Sequence, residues 1–317
     1  MFITTPRQTY KPFLYPWAYD YYVKQSRELF WKPEAISFSD DLKDYNRIPP
    51  VEREFISRIL TFFTQADVDI SQHYVSRYLP AFPHPELRMM LLAFANMEST
   101  HIDAYSKLVD TLGLGDYESF LAYPEMKEKH EYLNYTRAKT VTPSQLMYEI
   151  AIGSAFGEGL QLFGTFAMLL SYSERGLFKG MTDVVQWSLR DESLHVKGMV
   201  KIFHELRKEI DEDYWGDTKR SIYEACRDMV ELEDRFISLV YADGLELPNL
   251  NKADIHQYIR FLADYRLEQL GLKPMYYVDK NPLESLMGLF TSEIHEDYFS
   301  GTVTSYQHTS FNTEELW

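Results

Sequence analysis

The chain has 317 residues, 45% of them hydrophobic, so it can bury a large core within a single domain. Its 32 basic and 48 acidic residues give a net charge of -16, which argues against nucleic acid or an anionic membrane surface as a partner. Cys226 is the only cysteine, so an internal disulfide is excluded and a reducing cytoplasm is the expected compartment.

The first residues, 1–20, mix threonine, proline and aromatic side chains without the apolar run of a signal peptide, and we interpret them as a surface arm. Helical patterns dominate after the arm, no convincing strand alternation occurs, and the prediction is an all-α fold. Prolines, glycines and polar caps bound the predicted helices, which in chain order are 51–79, 85–112, 124–135, 143–171, 181–210, 214–242 and 252–270.

The most apolar stretch, 151–170, has nearly the length of a membrane span, but Glu158 and Gln161 interrupt it. Because an unpaired carboxylate in lipid is costly, a buried core helix is the better interpretation and no membrane partner is expected. The composition turns polar near residue 290. We therefore predict one helical domain over 1–290, followed by a flexible tail, 291–317.

Two of the predicted helices each contain a Glu-x-x-His motif, Glu98 with His101 and Glu192 with His195. Side chains three residues apart on a helix lie about 60° apart around its axis, so both can reach one point from one face. A single Glu-x-x-His is more often a solvated helix face. Two copies, each with a further acid nearby, favour a metal site instead.

A lone acid in an apolar stretch precedes each motif, Asp67 the first and Glu158 the second. Asp67 and Glu98 flank the proline-rich turn at 80–85 almost symmetrically, each roughly 18 Å of helix away. Glu158 and the second motif flank the turn at 171–176 in the same way. We therefore expect the two acids of each hairpin to lie at one height and to share an ion.

Four carboxylates converging in a helical core would each cost several kcal/mol if they stayed charged and unpaired. Two divalent cations would balance the four charges, and two neutral imidazoles would complete the coordination. Di-iron and di-manganese carboxylate bundles use a glutamate from each of two helices and Glu-x-x-His from each of the other two; here Asp67 replaces one glutamate. This oxygen-rich, thiolate-free set suits iron or manganese rather than structural zinc.

Tyr105 lies four residues after His101, on the same helix face and one turn further along. A buried tyrosine is often a packing residue with one satisfied hydroxyl. Beside an oxygen-activating centre the alternative role is redox, because an oxidised metal pair can remove an electron and a proton from the phenol.

Taken together, these residues resemble the radical-generating small (beta) subunit of class I ribonucleotide reductase, a ferritin-like di-metal carboxylate family. The resemblance covers about 22–290 and rests on the ligands, on Tyr105, on the run Arg190 to His195, and on the segment Trp31 to Glu34. It implies a homodimer whose two irons, or manganese in Mn/Mn or Mn/Fe form, react with oxygen and oxidise Tyr105. The oxidant then serves a large (alpha) subunit that makes deoxyribonucleotides for DNA replication.

The resemblance also implies an internal relay through His101, Asp191 and Trp31, with an exit at Tyr306 and docking of the large subunit by the acidic, aromatic C-terminal tail. Each part has an ordinary alternative. Asp191 could pair with Arg190, Trp31 could be a core residue, and the tail could be a solvated segment.

Two positions depart from the family pattern and bear on the lifetime of a radical. Phe94 stands where many relatives have a tryptophan near the metals, and polar Ser188 stands where an aliphatic residue often shields the tyrosine, while Leu162 and Phe166 keep the rest of that wall apolar. Two rival functions remain at this point: a di-metal oxidase acting on a small apolar ligand, and a ferritin-like metal storage protein. Neither rival needs the relay residues or the aromatic tail.

Overall fold

A computed structural model describes residues 2–7, 9–115, 123–134, 142–242 and 244–288. Its architecture is helical, and within these ranges the only β-type pairing is one isolated bridge between Leu247 and Leu250. The ten α-helices longer than one turn are α1 Pro16–Val23, α2 Ser39–Arg47, α3 Pro50–His73, α4 Pro85–Leu112, α5 Pro124–Asn134, α6 Pro143–Ile150, α7 Leu162–Leu170, α8 Lys179–Arg207, α9 Glu212–Val240 and α10 Lys252–Gln269.

Several helix ends follow from local chemistry that the sequence displays. α4 begins at Pro85, where the missing N–H costs nothing, and ends at Gly113, whose φ of +74° is the left-handed conformation that glycine adopts readily. The side chain of Thr142 accepts a hydrogen bond from the backbone N–H of Gln145 and so caps α6. These signals account for the agreement between predicted and observed ends.

Two predicted helices are interrupted by π-helical segments. The helix predicted over 51–79 leaves α geometry after His73 and continues as the π-helix Tyr74–Tyr78. The helix predicted over 143–171 contains the π-helix Ala151–Gln161 between α6 and α7. A π-turn widens the helix without changing residue preferences enough to show in the sequence, and such segments are frequent at functional sites.

The N-terminal region contributes more to the core than the sequence suggested. Helix α1 begins inside the segment interpreted as an arm and packs against α4, with Ala18 fully buried. Helix α2 was not predicted. Its buried Asp41 accepts hydrogen bonds from the backbone N–H groups of Gly180 and Met181, and this contact fixes the start of the ligand-bearing helix α8.

The elements that carry the predicted ligands pack against each other in the middle of the molecule. α3 and α4 form one antiparallel pair, and the π-helix 151–161 with α7 packs against α8 to form the other. α9 and α10 cover the outer side of the π-helix. Among the helices that the structure describes, none combines the length and apolar character needed to cross a membrane.

Candidate metal centre

The structure brings the predicted ligand side chains together at the centre of the bundle, and each is at most 1% exposed. α3 supplies one acid, α4 a glutamate and a histidine, the π-helix 151–161 one acid, and α8 a glutamate and a histidine. These residues are Asp67, Glu98, His101, Glu158, Glu192 and His195. The two acids of each helical hairpin therefore lie at the same height in the bundle, as predicted.

The donor atoms divide into two overlapping groups. In each group they all lie within 4.8 Å of one another. One group adds Asp67 and His101 to Glu98 and Glu192, and the other adds Glu158 and His195 to the same two glutamates. Glu98 and Glu192 are thus shared, as the bridging carboxylates of a two-ion site would be.

Each shared glutamate turns one oxygen toward each histidine. The Nδ1 atom of His101 lies 3.1 Å from Oε1 of Glu192 and 3.5 Å from Oε2 of Glu98. The Nδ1 atom of His195 lies 2.9 Å from Oε1 of Glu98 and 3.2 Å from Oε2 of Glu192. The arrangement can therefore offer both glutamates to two ions at once.

Most of these polar atoms lack the hydrogen bonds that buried groups require. The buried atoms without a hydrogen-bond partner among the described residues are both oxygens of Asp67, both oxygens of Glu98, Oε1 of Glu192, Nδ1 of His101 and Nε2 of His195. Short distances without hydrogen-bond alignment are expected where lone pairs point at a common ion. No lysine or arginine of the described residues forms a salt bridge with the four acids.

The pKa values reflect this shortage of positive charge. Burial raises the pKa of Asp67 well above its ordinary value, although the charge of His101 opposes the effect, and burial also raises the pKa of Glu158. Burial disfavours the charged imidazoles, but the neighbouring carboxylates outweigh it and hold the pKa of His101 and of His195 well above the usual range. Metal ions would take the place of these protons.

The donor set fits two first-row divalent ions. Four carboxylates carry four negative charges, and two imidazoles add nitrogen ligands without charge, which matches the ligand preference of iron and manganese. The unpaired buried oxygens described above are the structural observation that supports this fit.

Tyr105 is fully buried on α4 and donates a hydrogen bond of 3.1 Å to Oγ of Ser188. Burial, reinforced by the charge of Asp67, raises the pKa of the phenol well above its usual value, so it holds its proton. Ser188, which the sequence marked as a departure, is therefore a direct partner of Tyr105 rather than a gap in its apolar wall. Leu162 and Phe166 are buried as the sequence predicted.

The three predicted relay residues meet at one carboxylate oxygen, which belongs to Asp191. Oδ2 of Asp191 accepts a 2.7 Å hydrogen bond from Nε1 of Trp31 and lies 3.2 Å from Nε2 of His101. Arg190, the alternative partner, is 3.6 Å from the other oxygen. Burial opposes ionisation of Asp191, but Arg190 and the bonds from His101 and Trp31 outweigh it and lower its pKa.

Sequence reasoning missed several residues around these groups. Gln25 donates to Oδ1 of Asp191 at 3.2 Å, and the ring of Trp187 lies 5.1 Å from that of Trp31. Trp187 precedes Asp191 by four residues, so its helical spacing could have revealed it. Tyr74, which contacts Glu158, carried no such signal. The predicted exit residue, Tyr306, and the tail lie outside the described residues.

The sequence matches the family model described as "Ribonucleotide reductase, small chain" over residues 7–282. A ribonucleoside-diphosphate reductase small subunit of Invertebrate iridescent virus 3 is 36% identical over 98% of this chain and 87% of its own length. The small chain of Plasmodium falciparum ribonucleoside-diphosphate reductase is 27% identical over 95% of this chain and 83% of its own.

Solved structures with the same fold include the ribonucleotide reductase R2 subunit from Clostridium botulinum, with a TM-score of 0.81 and 23% identity. That match covers 90% of this chain and 92% of the other. The dimanganese(II)-NrdF of Streptococcus sanguinis gives a TM-score of 0.79 and 18% identity, over 90% of this chain and 99% of its own. At these identities, the likeness shows the fold.

Proposed function

The chain belongs to the ribonucleotide reductase small-chain family, and from this premise we propose that its six clustered side chains hold a pair of metal ions that generates the radical oxidant of the enzyme. It is a small subunit of class I ribonucleoside-diphosphate reductase, an oxidoreductase with a ferritin-like helical fold. The observation that carries the proposal is the pair of overlapping ligand groups that share Glu98 and Glu192.

The chemistry of the donors supports two irons first, with Mn/Mn or Mn/Fe as the alternatives. When bound, such a pair supplies an oxidising equivalent by reacting with oxygen. Asp67 and His101 would hold one ion, Glu158 and His195 would hold the other, and the shared glutamates Glu98 and Glu192 would be available to both. The side chains also exclude water, since each is at most 1% exposed.

Tyr105 is the proposed store of the oxidising equivalent. The residue gives up an electron and the proton of its hydroxyl, and its complete burial keeps solvent and reductants away from the resulting tyrosyl radical. Ser188 holds the phenolic hydroxyl in place through the 3.1 Å hydrogen bond.

Asp191 and Trp31 are proposed to carry the equivalent from the metal side toward the surface. Asp191 orients His101 and Trp31 through one oxygen, so a continuous hydrogen-bonded path leads out of the centre. The tail, 291–317, with Tyr306 as the exit, is proposed to dock the large subunit. A short segment with a few apolar anchors suits reversible docking.

A homodimer and a cytoplasmic location complete the proposal. The exposed apolar side chains Val68, Val75 and Leu92 on the α3–α4 hairpin are available to a second copy of the chain. Residues 1–290 are proposed to form one helical domain. The lone buried Cys226 suits a reducing compartment.

Electron paramagnetic resonance tests the function. Protein loaded separately with iron and with manganese is exposed to oxygen beside Tyr105→Phe. We expect the signal of an organic radical in the unsubstituted protein and none in Tyr105→Phe. The two proteins should bind the same amount of metal. A radical that survives the substitution would show that Tyr105 is the wrong residue.

Two further variants separate the radical store from its delivery. Trp31→Phe and deletion of the last seven residues, 311–317, should keep the metals and the radical but abolish nucleotide reduction with the large subunit. Unaffected reduction in the deletion variant would remove the docking role of the tail.

A further inference from the structure

Glu158 differs from the other clustered acids because hydroxyl groups hold both of its oxygens. Tyr74 donates a 2.7 Å hydrogen bond to Oε1, and the hydroxyl of Ser154 donates a short one to Oε2. Asp67 and Glu98, in contrast, have no hydrogen bond to any carboxylate oxygen within the described part of the chain. One end of the centre is therefore fixed by neutral donors and the other end is not.

Both donors lie on π-helical segments that face each other. Tyr74 opens the π-helix 74–78, and Ser154 lies within the π-helix 151–161. Their close approach depends on Gly153, where an added Cβ would lie 2.8 Å from the hydroxyl of Tyr78 and 3.0 Å from Nδ1 of His73. The hydroxyl of Tyr78 also donates to the backbone oxygen of Glu149. The positions of the two donors are thus built into the backbone.

The other side of the same π-helix is fixed by a buried arginine. Nε of Arg266 donates a 2.8 Å hydrogen bond to the backbone oxygen of Gly159, the residue after Glu158. A Cβ at Gly159 would lie 2.5 Å from that nitrogen, so glycine is required for the contact. The backbone that carries Glu158 is consequently fixed on both sides.

Tyr74 is 1% exposed, and its ring packs edge-on against those of Phe94 and His195, each 6.0 Å away. The ring of Phe94 offers no hydrogen-bond donor. The hydroxyl of Tyr74 therefore brings a donor to an end of the centre where the neighbouring aromatic ring supplies none.

We propose that Tyr74 is a positioning residue that, together with Ser154, orients the carboxylate of Glu158 and so sets the affinity of the ion on the His195 side. The inference rests on the proposed function, because it needs the two-ion site. Partners that orient metal ligands typically contribute about 10- to 100-fold in metal affinity. The two ions should therefore respond unequally to a change at Tyr74.

The test is an anaerobic titration with manganous ion, followed by electron paramagnetic resonance of free and bound metal. Tyr74→Phe removes only the hydroxyl. Binding of one ion should weaken by about 10- to 100-fold, so that the spectrum of a single uncoupled ion persists at concentrations where the unsubstituted protein shows a coupled pair. The other ion should bind as before.

Tyr78→Phe is the matched control, since it removes a buried hydroxyl from the same π-helix that donates to a backbone oxygen instead of to a ligand. It should bind both ions with unchanged affinity. Incorporation of 4-aminophenylalanine at position 74 restores a donor of similar shape and should recover the second ion. Far-ultraviolet circular dichroism of the metal-free variants checks that each is folded.

Equal affinities in Tyr74→Phe and the unsubstituted protein would overturn the inference, and so would a loss that 4-aminophenylalanine does not repair or that Tyr78→Phe reproduces. If the unsubstituted protein is folded and binds neither manganous nor ferrous ion, that result would instead contradict the proposed function. The two failures are therefore distinguishable.

Discussion

Two of the buried charge clusters in this bundle, the Lys129–Glu233 pair and the metal centre, are neutralised differently. Away from the metal centre, Lys129 of α5 and Glu233 of α9 form an ion pair of 2.5 Å, and both side chains are completely buried. Lys129 also lies over the rings of Phe62 and Phe236, at 4.3 and 4.0 Å from their centroids. At the metal centre, four acids converge, and no lysine in the described part of the chain forms a salt bridge with them.

The difference shows where the compensating charge must originate. Burial lowers the pKa of Lys129 and raises that of Glu233, while their mutual attraction opposes both shifts, so the chain supplies its own cation there. At the centre the chain supplies only acids and two imidazoles, so cations from solution complete the balance. Burial excludes solvent from both clusters. The Lys129–Glu233 pair balances its own charge, whereas the acids of the centre need bound metal ions to balance theirs.

Removal of a shared ligand should have the largest effect. Glu192→Ala takes a carboxylate from both ligand groups, so we expect the variant to bind neither metal ion. Its nucleotide reductase activity should fall to background. Metal analysis and the reductase assay measure both. Glu149→Gln, a change at a buried acid that pairs with Arg77 instead, is the control and should keep both ions. A Glu192→Ala protein that still binds two metal ions would contradict the view that the acids of the centre are balanced by bound metal.

Breaking the self-contained pair should affect stability rather than metal binding. Lys129→Met leaves Glu233 buried without its cation and should lower the free energy of unfolding by about 3–5 kcal/mol. Lys129→Met combined with Glu233→Met removes both charges and should recover most of that loss. Denaturant unfolding measures both. A single variant within about 1 kcal/mol of the unsubstituted protein would contradict a large cost for leaving Glu233 buried without Lys129.

Metal should stabilise the protein by an amount that rises with the logarithm of the free ion concentration above the dissociation constant. At a free ion concentration 100 times the dissociation constant, each site should add about 2.7 kcal/mol to the free energy of unfolding. The increment should be the same in the double variant at 129 and 233, because that pair shares no ligand with the centre. Thermal unfolding with and without manganous ion measures it; an unchanged transition in the unsubstituted protein would contradict this view of the centre.

Cys226 provides the smallest test, because it is a buried ionisable group outside the proposed metal ligands. Burial, with a smaller contribution from the charge of Asp264, raises the pKa of its thiol to about 12. A thiol reagent at pH 8 should therefore react only after unfolding. Rapid labelling of the folded protein would show that the core around α9 opens readily.

The sequence was sufficient to predict which six side chains cluster at the centre of the bundle. The positions of Asp67 and Glu98 relative to the proline turn, and the three-residue spacing of each motif, fix which helix faces meet, because helical rise and twist are nearly constant. The relay role of Asp191 with His101 came from the family resemblance instead, and in the structure Oδ2 of Asp191 lies 3.2 Å from Nε2 of His101. Helix ends marked by proline or glycine were also predicted well.

Features that depend on tertiary contact were not predictable from a single chain. Neither the residues of the π-helix 74–78 nor the glycines of the π-helix 151–161 specify π geometry, so the hydroxyl of Tyr74 could not be directed at Glu158 from spacing alone. Lys129 lies in a short, highly charged helix, and nothing in that sequence distinguishes it from the neighbouring charged residues. Only the packing of α5 on α9 reveals that its charge is buried. The short helices α1 and α2 are held by α4 and α8 rather than by strong patterns of their own.

The most direct measurement is a crystal structure of the protein soaked anaerobically with manganous or ferrous ion, with anomalous scattering recorded at the metal edge. We expect two anomalous difference peaks about 3.5–4 Å apart, with Glu98 and Glu192 between them. One peak should lie beside Asp67 and His101, and the other beside Glu158 and His195. No peak at these side chains, or a single ion held elsewhere, would contradict this expectation.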